Sequence, residues 1–533
     1  MGPFDGALKG KNYKTLAVKK EKIITAVRPT QPSTTKTPNV SNTLHSSAAS
    51  SSFLANGKAR HANGHVRSQS RSLTPSRSGD RDAKNVAKNE RAKNLKRSSP
   101  AVSTPRFDES ESGEDEEQEI RNRKKRKLER AVSGDSKRQI INVKSFPTND
   151  NETFPMVHAL DIANYGAPGV FDSKYSNIFS ALDEDEEDEP VIELQYPGSS
   201  QRERFHLVKS RDVEDFSPLD EIINVVKNVA RHYLDEDQAS LLDDEVNIGL
   251  VQKMEQARAR GRKGKLGAQT AFISAVDKYN KKITELRNDG SIEKRLGSLR
   301  YVDYSLVETI VNQIYTRTVS PRAHLLREYE NGTSLVYGEI LPRFMNTIFK
   351  ETRLKSDQVF LDLGSGVGNC VLQASLEIGC ESWGCEIMKN PCDFADKQKE
   401  EFEARCRLWG IQPGAVHLER ASFLTHPPIT EVIKRADVIL INNRAFQADL
   451  MEDLKWKLLD VKKGCKIVSL KPFREPDHKI QERHIDDPVN VLQVRKKEYP
   501  TRSVSWTGDA GDWYLTWKDP SELEAFRRRR GLN

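Results

Sequence analysis

The stretch Val359-Phe-Leu-Asp-Leu-Gly-Ser-Gly-Val-Gly-Asn369 decides how this chain is read. An apolar strand ends at Asp362, glycines follow at Gly364, Gly366 and Gly368, and a helical run from Asn369 to Ile378 starts without a gap. Bare glycine backbone at a strand tip lets a nucleotide-like ligand approach the first turn of the helix, the physics of a nucleotide-binding βα turn. Dinucleotide sites space their glycines G-x-G-x-x-G, whereas this turn reads D-x-G-x-G-x-G. Eighteen residues after Gly368, a second strand (Ser382-Trp-Gly-Cys-Glu386) also ends in an acid, placed to hold both hydroxyls of a ribose. A tight turn with no ligand accounts for the glycines but not for an acid at each of two strand ends.

Working outward, strand and helix alternate. Strands are predicted at 358–362, 382–386, 415–419, 437–442 and 464–470, and helices at 368–378, 391–409 and 447–460. A closing antiparallel hairpin is predicted from Arg502–Trp506 and Trp513–Trp517. That order predicts a doubly wound, mostly parallel seven-stranded α/β sheet with its ligand at the carboxyl ends of strands one to four. Upstream, Ser217-Pro218 opens a helix with Leu219, Ile222, Ile223, Val226, Val229, Ala230 and Tyr233 on one face and Asp220 at the capping-box position. Further helices are predicted at 270–287, 305–315 and 338–350, with Arg258–Lys265 as a basic loop. The organisation expected is a disordered basic tail (1–145), a helical subdomain (146–300) carrying the acidic run Asp183–Glu189 as a loop, the sheet domain (301–520) and a basic C-terminal tail (521–533).

Composition narrows the class. The 533 residues are only 36% hydrophobic, with a mean hydropathy of −0.69, too polar for one packed body of that length. The first 100 residues carry 20 Lys/Arg against 5 Asp/Glu, and the rest 65 against 73. A basic tail on a near-neutral body suggests a polyanionic partner. An acidic block, Asp108–Glu119, precedes Arg121-Asn-Arg-Lys-Lys-Arg-Lys-Leu-Glu-Arg130, which has the composition of a nuclear-import or nucleic-acid patch but also of a plain solvated helix. Thr74-Pro75, Ser99-Pro100 and Thr104-Pro105 offer proline-directed phosphorylation sites that would lower the tail's charge. No run has transmembrane length and no leader is evident, so the reading is a soluble, intracellular protein. The six cysteines lack paired C-x-x-C spacing, which argues against zinc and against disulfides.

Six motifs occur in one order: Val336-Tyr-Gly-Glu339, Asp362–Asn369, Gly384-Cys-Glu386, Asn442-Asn-Arg-Ala-Phe446, Ile467-Val-Ser-Leu-Lys-Pro-Phe473 and Ser503-Val-Ser-Trp-Thr-Gly508. Together they resemble the disruptor of telomeric silencing family, the non-SET histone H3 lysine methyltransferases, over roughly residues 300–518. The basic extension resembles that of fungal members. The resemblance implies a class I S-adenosylmethionine-dependent fold that methylates a lysine on the globular core of histone H3. The implied substrate is the intact nucleosome, with ubiquitinated histone H2B as a stimulating feature. It also implies contact with nucleosomal DNA through the basic tail, no membrane, a monomer, and a nuclear setting in telomeric silencing and the DNA damage checkpoint.

The same resemblance assigns residues. Tyr337 and Glu339 flank the methionine end of the cofactor. Asp362, Gly364, Gly366, Gly368 and Asn369 surround its amino-acid end, Glu386 takes the ribose, and Ser422 and Phe423 face the adenine. Asn442 lies near the transferring methyl, and Leu440, Phe446, Trp506 and Trp513 wall a lysine channel. No metal is implied. Ser422 stands where some relatives carry Asp, Arg444 where many carry an aromatic, and Trp513 where Tyr is common. Taken alone, Trp506 and Trp513 read more often as core aromatics, and a strand-end turn pair is the minor alternative for Asn442-Asn443. A dry aromatic channel disfavours the ammonium form of a lysine, whose pKa in water is about 10.4, so the amine sheds its proton without a strong base. Other methyltransferases of this fold, and a scaffold with a degenerate site, are the competing classes. The first would show a motif such as Asn-Pro-Pro-aromatic after strand four, and the second would lack the acids.

Overall fold

The computed structural model describes residues 135, 137–146, 153–163, 175–179, 191–212, 216–329 and 332–532. The basic cluster at 121–130, the phosphorylation dipeptides and the acidic run at 183–189 lie outside them.

Seven strands form the main sheet: β1 (Val359–Leu363), β2 (Glu381–Glu386), β3 (Val416–Arg420), β4 (Val438–Ile441), β5 (Lys466–Ser469), β6 (Leu492–Tyr499) and β7 (Gly511–Lys518). Their order is β6-β7-β5-β4-β1-β2-β3. The pairs β1–β2, β1–β4, β2–β3 and β4–β5 are parallel, and β7 runs antiparallel to both β5 and β6. The doubly wound, mostly parallel sheet of the expectation is therefore present. Between β1 and β4 the winding reverses, and such a switch opens a crevice at the carboxyl ends of the strands. In register, Asp362 sits between Leu440 of β4 and Gly384 of β2, which puts one carboxyl at the floor of that crevice.

The closing hairpin differs from expectation. β7 pairs with 492–499, with Trp513 opposite Lys497. Residues 503–505 spend their backbone groups on the 339–341 segment: Leu341 N–H donates to Ser503 O at 3.0 Å and Ser505 N–H to Glu339 O at 3.0 Å. Arg502 at φ 57° breaks the run that looked like a strand.

The helices that matter are α1 (Pro218–Tyr233), α2 (Leu250–Arg262), α3 (Ala268–Asn288), α4 (Tyr304–Thr318), α5 (Pro342–Thr352), α6 (Asn369–Gln373), α7 (Lys389–Trp409), α8 (Pro427–Arg435), α9 (Ala448–Lys457) and α10 (Ser521–Arg530). α1 buries all seven predicted face residues. Its Ser217 makes no side-chain cap, and Asp220 pairs with Arg258 and Arg262 instead of closing a capping box. The "basic loop" at 258–265 is thus helical as far as Arg262, because Asp220 neutralises it from the neighbouring helix. The expected helix at 338 begins at Pro342, since 338–341 is held extended by residues 503–505. The C-terminal basic stretch forms α10, anchored by the buried Leu523. α8 was not foreseen, although Ile429, Val432 and Ile433 behind Pro427-Pro428 carry the helical spacing.

A hairpin (191–195 with 202–206), the antiparallel pair that flanks it (175–177 with 208–210) and α1–α4 pack on α7 in a single apolar core that also takes Leu372 and Leu376 from behind the glycine turn. Trp409 is the hub. Its ring meets Tyr196 edge-on at 5.1 Å, its Nε1–H donates to Gln313 Oε1 at 2.9 Å, and its carbonyl accepts from Tyr233 at 2.7 Å.

Beside it lies a buried charge cluster. Glu203, fully buried, accepts from Arg317 at 2.8 Å and from Arg405 at 2.5 and 2.9 Å. The Tyr196 hydroxyl adds a bond at 2.7 Å. Arg405 also donates to Glu401 at 2.6 Å, and Arg317 to Glu221 at 2.8 Å. Burial raises the Glu203 carboxyl, but the two guanidinium groups more than offset it and hold the group well below the usual carboxylate range. With the folded value lowered, its contribution to stability is present above the ordinary carboxylate range and lost only as the pH falls through the lowered one. Glu203→Gln strands two buried cations, so we expect a loss of about 3–5 kcal/mol in denaturant unfolding at pH 7. The difference from wild type should shrink in strong acid.

Candidate functional site

The glycine turn is shaped as its sequence requires. Gly364, Gly366 and Gly368 all have positive φ, at 90°, 55° and 87°. A Cβ on Gly366 would come within 2.9 Å of the Tyr337 ring. The turn is pinned from β2: Gly364 and Ser365 N–H donate to Cys385 O at 2.9 and 3.1 Å, and Gly366 N–H donates to Glu386 Oε2 at 2.9 Å. The other Glu386 oxygen accepts from the amides of Ile387 and Met388, both at 2.7 Å. Three backbone amides thus orient this carboxylate at the tip of β2 while leaving it half-buried.

Above the turn lies a partly open cavity. Its walls include Tyr337, Glu339, Asp362, Gly364, Asn369, Leu440 and Asn442. It brings together most of the residues expected from the sequence. Its lining holds two carboxyls and no lysine or arginine. Asp362 is pushed up to about 8 by burial and by the neighbouring Glu386 charge. Burial also raises Glu339, opposed by two phenols: Tyr337 donates to Oε1 at 2.6 Å and Tyr315 to the same oxygen at 2.9 Å. Asn369 Nδ2–H reaches Glu339 Oε2 at 3.3 Å, and is itself steadied by Gln398, which donates to Asn369 Oδ1 at 2.8 Å. Glu339 N–H donates to Ser505 Oγ at 2.9 Å, so the 503–505 segment holds this loop through a side chain as well as through its backbone.

Asn442 follows β4. Its amide nitrogen donates to Gly338 O at 2.9 Å, which fixes the side chain's orientation. Its Oδ1 is buried and has no hydrogen-bond partner. An orphaned buried acceptor costs about 1–3 kcal/mol unless a ligand fills it. Next to it Asn443, fully buried, is saturated: Oδ1 takes Leu470 and Lys471 N–H at 2.9 and 2.8 Å, and Nδ2 donates to Lys471 O at 3.0 Å. The pair thus divides into one residue open to a ligand and one that staples β4 to the loop after β5.

Other expected site residues lie at the margins. Phe446 reaches within 3.6 Å of where a Gly364 Cβ would stand and stacks on Phe423 at 6.2 Å. Trp506 packs against Gly338, where a Cβ would fall 2.7 Å from its ring. Ser422 turns its hydroxyl to Leu424 N–H at 3.3 Å, a local bond. Gly368 packs on Leu418 instead of lining the cavity. Trp513 departs furthest: it is 1% exposed, meets Phe344 edge-on at 5.8 Å and does not line the cavity, because strand alternation turns it toward α5. Arg444 is exposed. Three supporting residues carry no assigned role in the sequence reading: Tyr315, Gln398 and Ser505, the last inside the Ser503–Gly508 motif. Tyr315 and Gln398 sit at ordinary helical positions, and only their partners distinguish them. All six cysteines are buried free thiols. Among the described residues, no three His, Cys, Asp or Glu gather as a metal site, and no helix is long and apolar enough to cross a membrane.

Residues 315–517 match the family model described as "Histone methylation protein DOT1". A relative from Aspergillus fumigatus named "Histone-lysine N-methyltransferase, H3 lysine-79 specific" is 46% identical over 434 residues, covering 81% of this chain and 83% of its own. A relative of the same name from Emericella nidulans is 47% identical over 389 residues, covering 73% and 75%. Another from Gibberella zeae is 40% identical over 442 residues, covering 82% and 85%. With identity at that level spread over the helical part, the sheet and the cavity described above, the chain belongs to the DOT1 family of histone methylation proteins and is a methyltransferase of that family.

Proposed function

We propose that this chain methylates lysine-79 of histone H3 within nucleosomes, with S-adenosylmethionine as the donor. The observation that carries the reading is the chemistry of the cavity: a buried carboxyl on Asp362, a half-buried one on Glu339, no cation in the lining, and an unpaired acceptor on Asn442. Such a lining repels the pyrophosphate of a dinucleotide and favours a ligand bearing an ammonium and a sulfonium. Asp362 and Glu339 would hold the ammonium, Glu386 the ribose hydroxyls and Phe423 the adenine face, with Asn369 and the backbone of Gly364 and Gly366 closing the amino-acid end. Bound there, S-adenosylmethionine supplies a methyl group on a sulfonium, an electrophile that needs only a neutral amine in line with it.

The rest is the work of the chain. Leu440, Phe446, Tyr337 and Trp506 supply apolar surface at the cavity and its mouth. There the cationic form of an entering lysine loses hydration and its pKa falls toward neutrality. Asn442 Oδ1 accepts an N–H of that amine and aims its lone pair. The rate gain then comes mainly from position, not from a base. Phosphate contacts by the basic tail and by the arginines Arg527–Arg530 of α10 supply salt-dependent affinity for nucleosomal DNA. In this reading the helical part (146–300) and the sheet domain (301–520) act in the nucleus as a monomer. The enzyme works on chromatin silencing and the damage checkpoint, and is stimulated by ubiquitin on histone H2B.

Mass spectrometry of nucleosomes incubated with S-adenosylmethionine tests this. Wild type should add methyl groups to histone H3 lysine-79, and Gly364→Arg, which fills the turn, should add none. Methylation of naked nucleic acid alone would overturn the reading.

The Asp362 carboxyl gives a second test. Because its folded value is near 8, it carries a proton at pH 7, and an ammonium ligand favours the ionised form. Affinity for S-adenosylhomocysteine should therefore rise from pH 6 to 8 and level off above that. Close to one proton should be released on binding at pH 7, read by calorimetry in buffers of different ionisation enthalpy. Asp362→Asn should bind weakly and abolish that release.

A further inference from the structure

Tyr315 stands outside the sheet, two residues before Arg317 on α4, yet its hydroxyl ends on the cavity carboxylate Glu339. The two phenols on Glu339 are not equivalent. Tyr337 is two residues away on the same loop and moves with it, whereas Tyr315 is carried by a helix whose neighbouring positions are locked. Gln313 is bonded to Trp409, Tyr196 and Glu221, and Arg317 is bonded to Glu203 and Glu221. The 2.9 Å bond from Tyr315 thus links the helix that carries part of the buried charge cluster to the cavity. Both phenols land on Oε1 and fill its acceptor capacity, while Oε2 keeps only the long 3.3 Å contact to Asn369.

We propose that Tyr315 is a positioning residue of the cofactor pocket: by occupying Oε1 of Glu339 it turns Oε2 to the ammonium of the bound ligand. The proposal rests on the cofactor reading given above. The groups facing Glu339 are the Tyr315 and Tyr337 hydroxyls, the Asn369 amide and, more distantly, the buried thiol of Cys370. No lysine or arginine lines that wall. The two phenols lower the Glu339 carboxyl against burial, so losing one moves it up. Binding that needs the ionised form then shifts to higher pH.

The experiment is titration of S-adenosylhomocysteine into full-length wild type, Tyr315→Phe, Glu339→Gln and the double variant, by calorimetry from pH 6 to 9, with thermal unfolding of each. Tyr315→Phe should weaken binding about tenfold at pH 7, the scale of one hydrogen bond to a charged group. It should also move the pH profile upward and leave the unfolding midpoint close to wild type. In the Glu339→Gln background the same change should cost little, because the group that Tyr315 orients is already neutral. An unchanged affinity and profile in Tyr315→Phe, or an equal loss in both backgrounds, overturns the proposal while the cofactor reading stands. A wild type that binds no S-adenosylhomocysteine overturns both.

Discussion

Glu203 is a fully buried carboxylate clamped between Arg317 and Arg405, from three segments far apart in the chain. Ions buried this deeply cost several kcal/mol each to dehydrate, so such a cluster is stable in only one geometry, with every partner in place. That constraint fixes α4 against α7 and the 191–206 hairpin that carries Glu203. α4 in turn carries Tyr315 to Glu339, and α7 carries Gln398 to Asn369. Two walls of the cavity are therefore set by packing that begins outside the sheet. Apolar burial around Trp409 supplies attraction but little direction, and the ion cluster supplies the direction.

The cavity holds an electrostatic imbalance. The sheet's switch point places Asp362 in a dry floor beside Glu386, and the loop before α5 adds Glu339. Nothing in the lining carries the opposite charge. Asn442 contributes a further unmet acceptor. A pocket with raised carboxyls and spare acceptors is destabilised without a cation and complementary to one, which is how a fold reserves its free energy for a ligand. The same glycine geometry with basic or neutral walls would suit a phosphate.

Much of this could be read along the chain, for identifiable reasons. The glycine turn was legible because positive φ at three alternate positions restricts residue choice to glycine. α1 was legible because one face repeats at helical spacing, and Asp362 and Glu386 because strand ends fix where their side chains fall. The errors also have causes. β6, Leu492-Gln-Val-Arg-Lys-Lys-Glu-Tyr499, is an edge strand whose charges blunt it against pairing with other chains, so it resembles a loop. Residues 502–506 alternate like a strand yet give their hydrogen bonds to the 339–341 segment. Arg258–Arg262 looked like a solvated loop because Asp220, its neutralising partner, lies on another helix. Trp513 faces the core and not the cavity, a choice that strand alternation makes only once register is known.

The sequence by itself determined the α/β alternation, the ligand end of the sheet and the acids that meet there, since each depends on a residue and its near neighbours. Only the tertiary structure decided which of two adjacent asparagines keeps an open oxygen, which tryptophan leaves the cavity for the core, and that a tyrosine from α4 joins the site. Those outcomes turn on contacts between segments tens to hundreds of residues apart. A side chain's hydrogen-bonding capacity is the same wherever it sits, and only the packed chain fixes the partner that uses it.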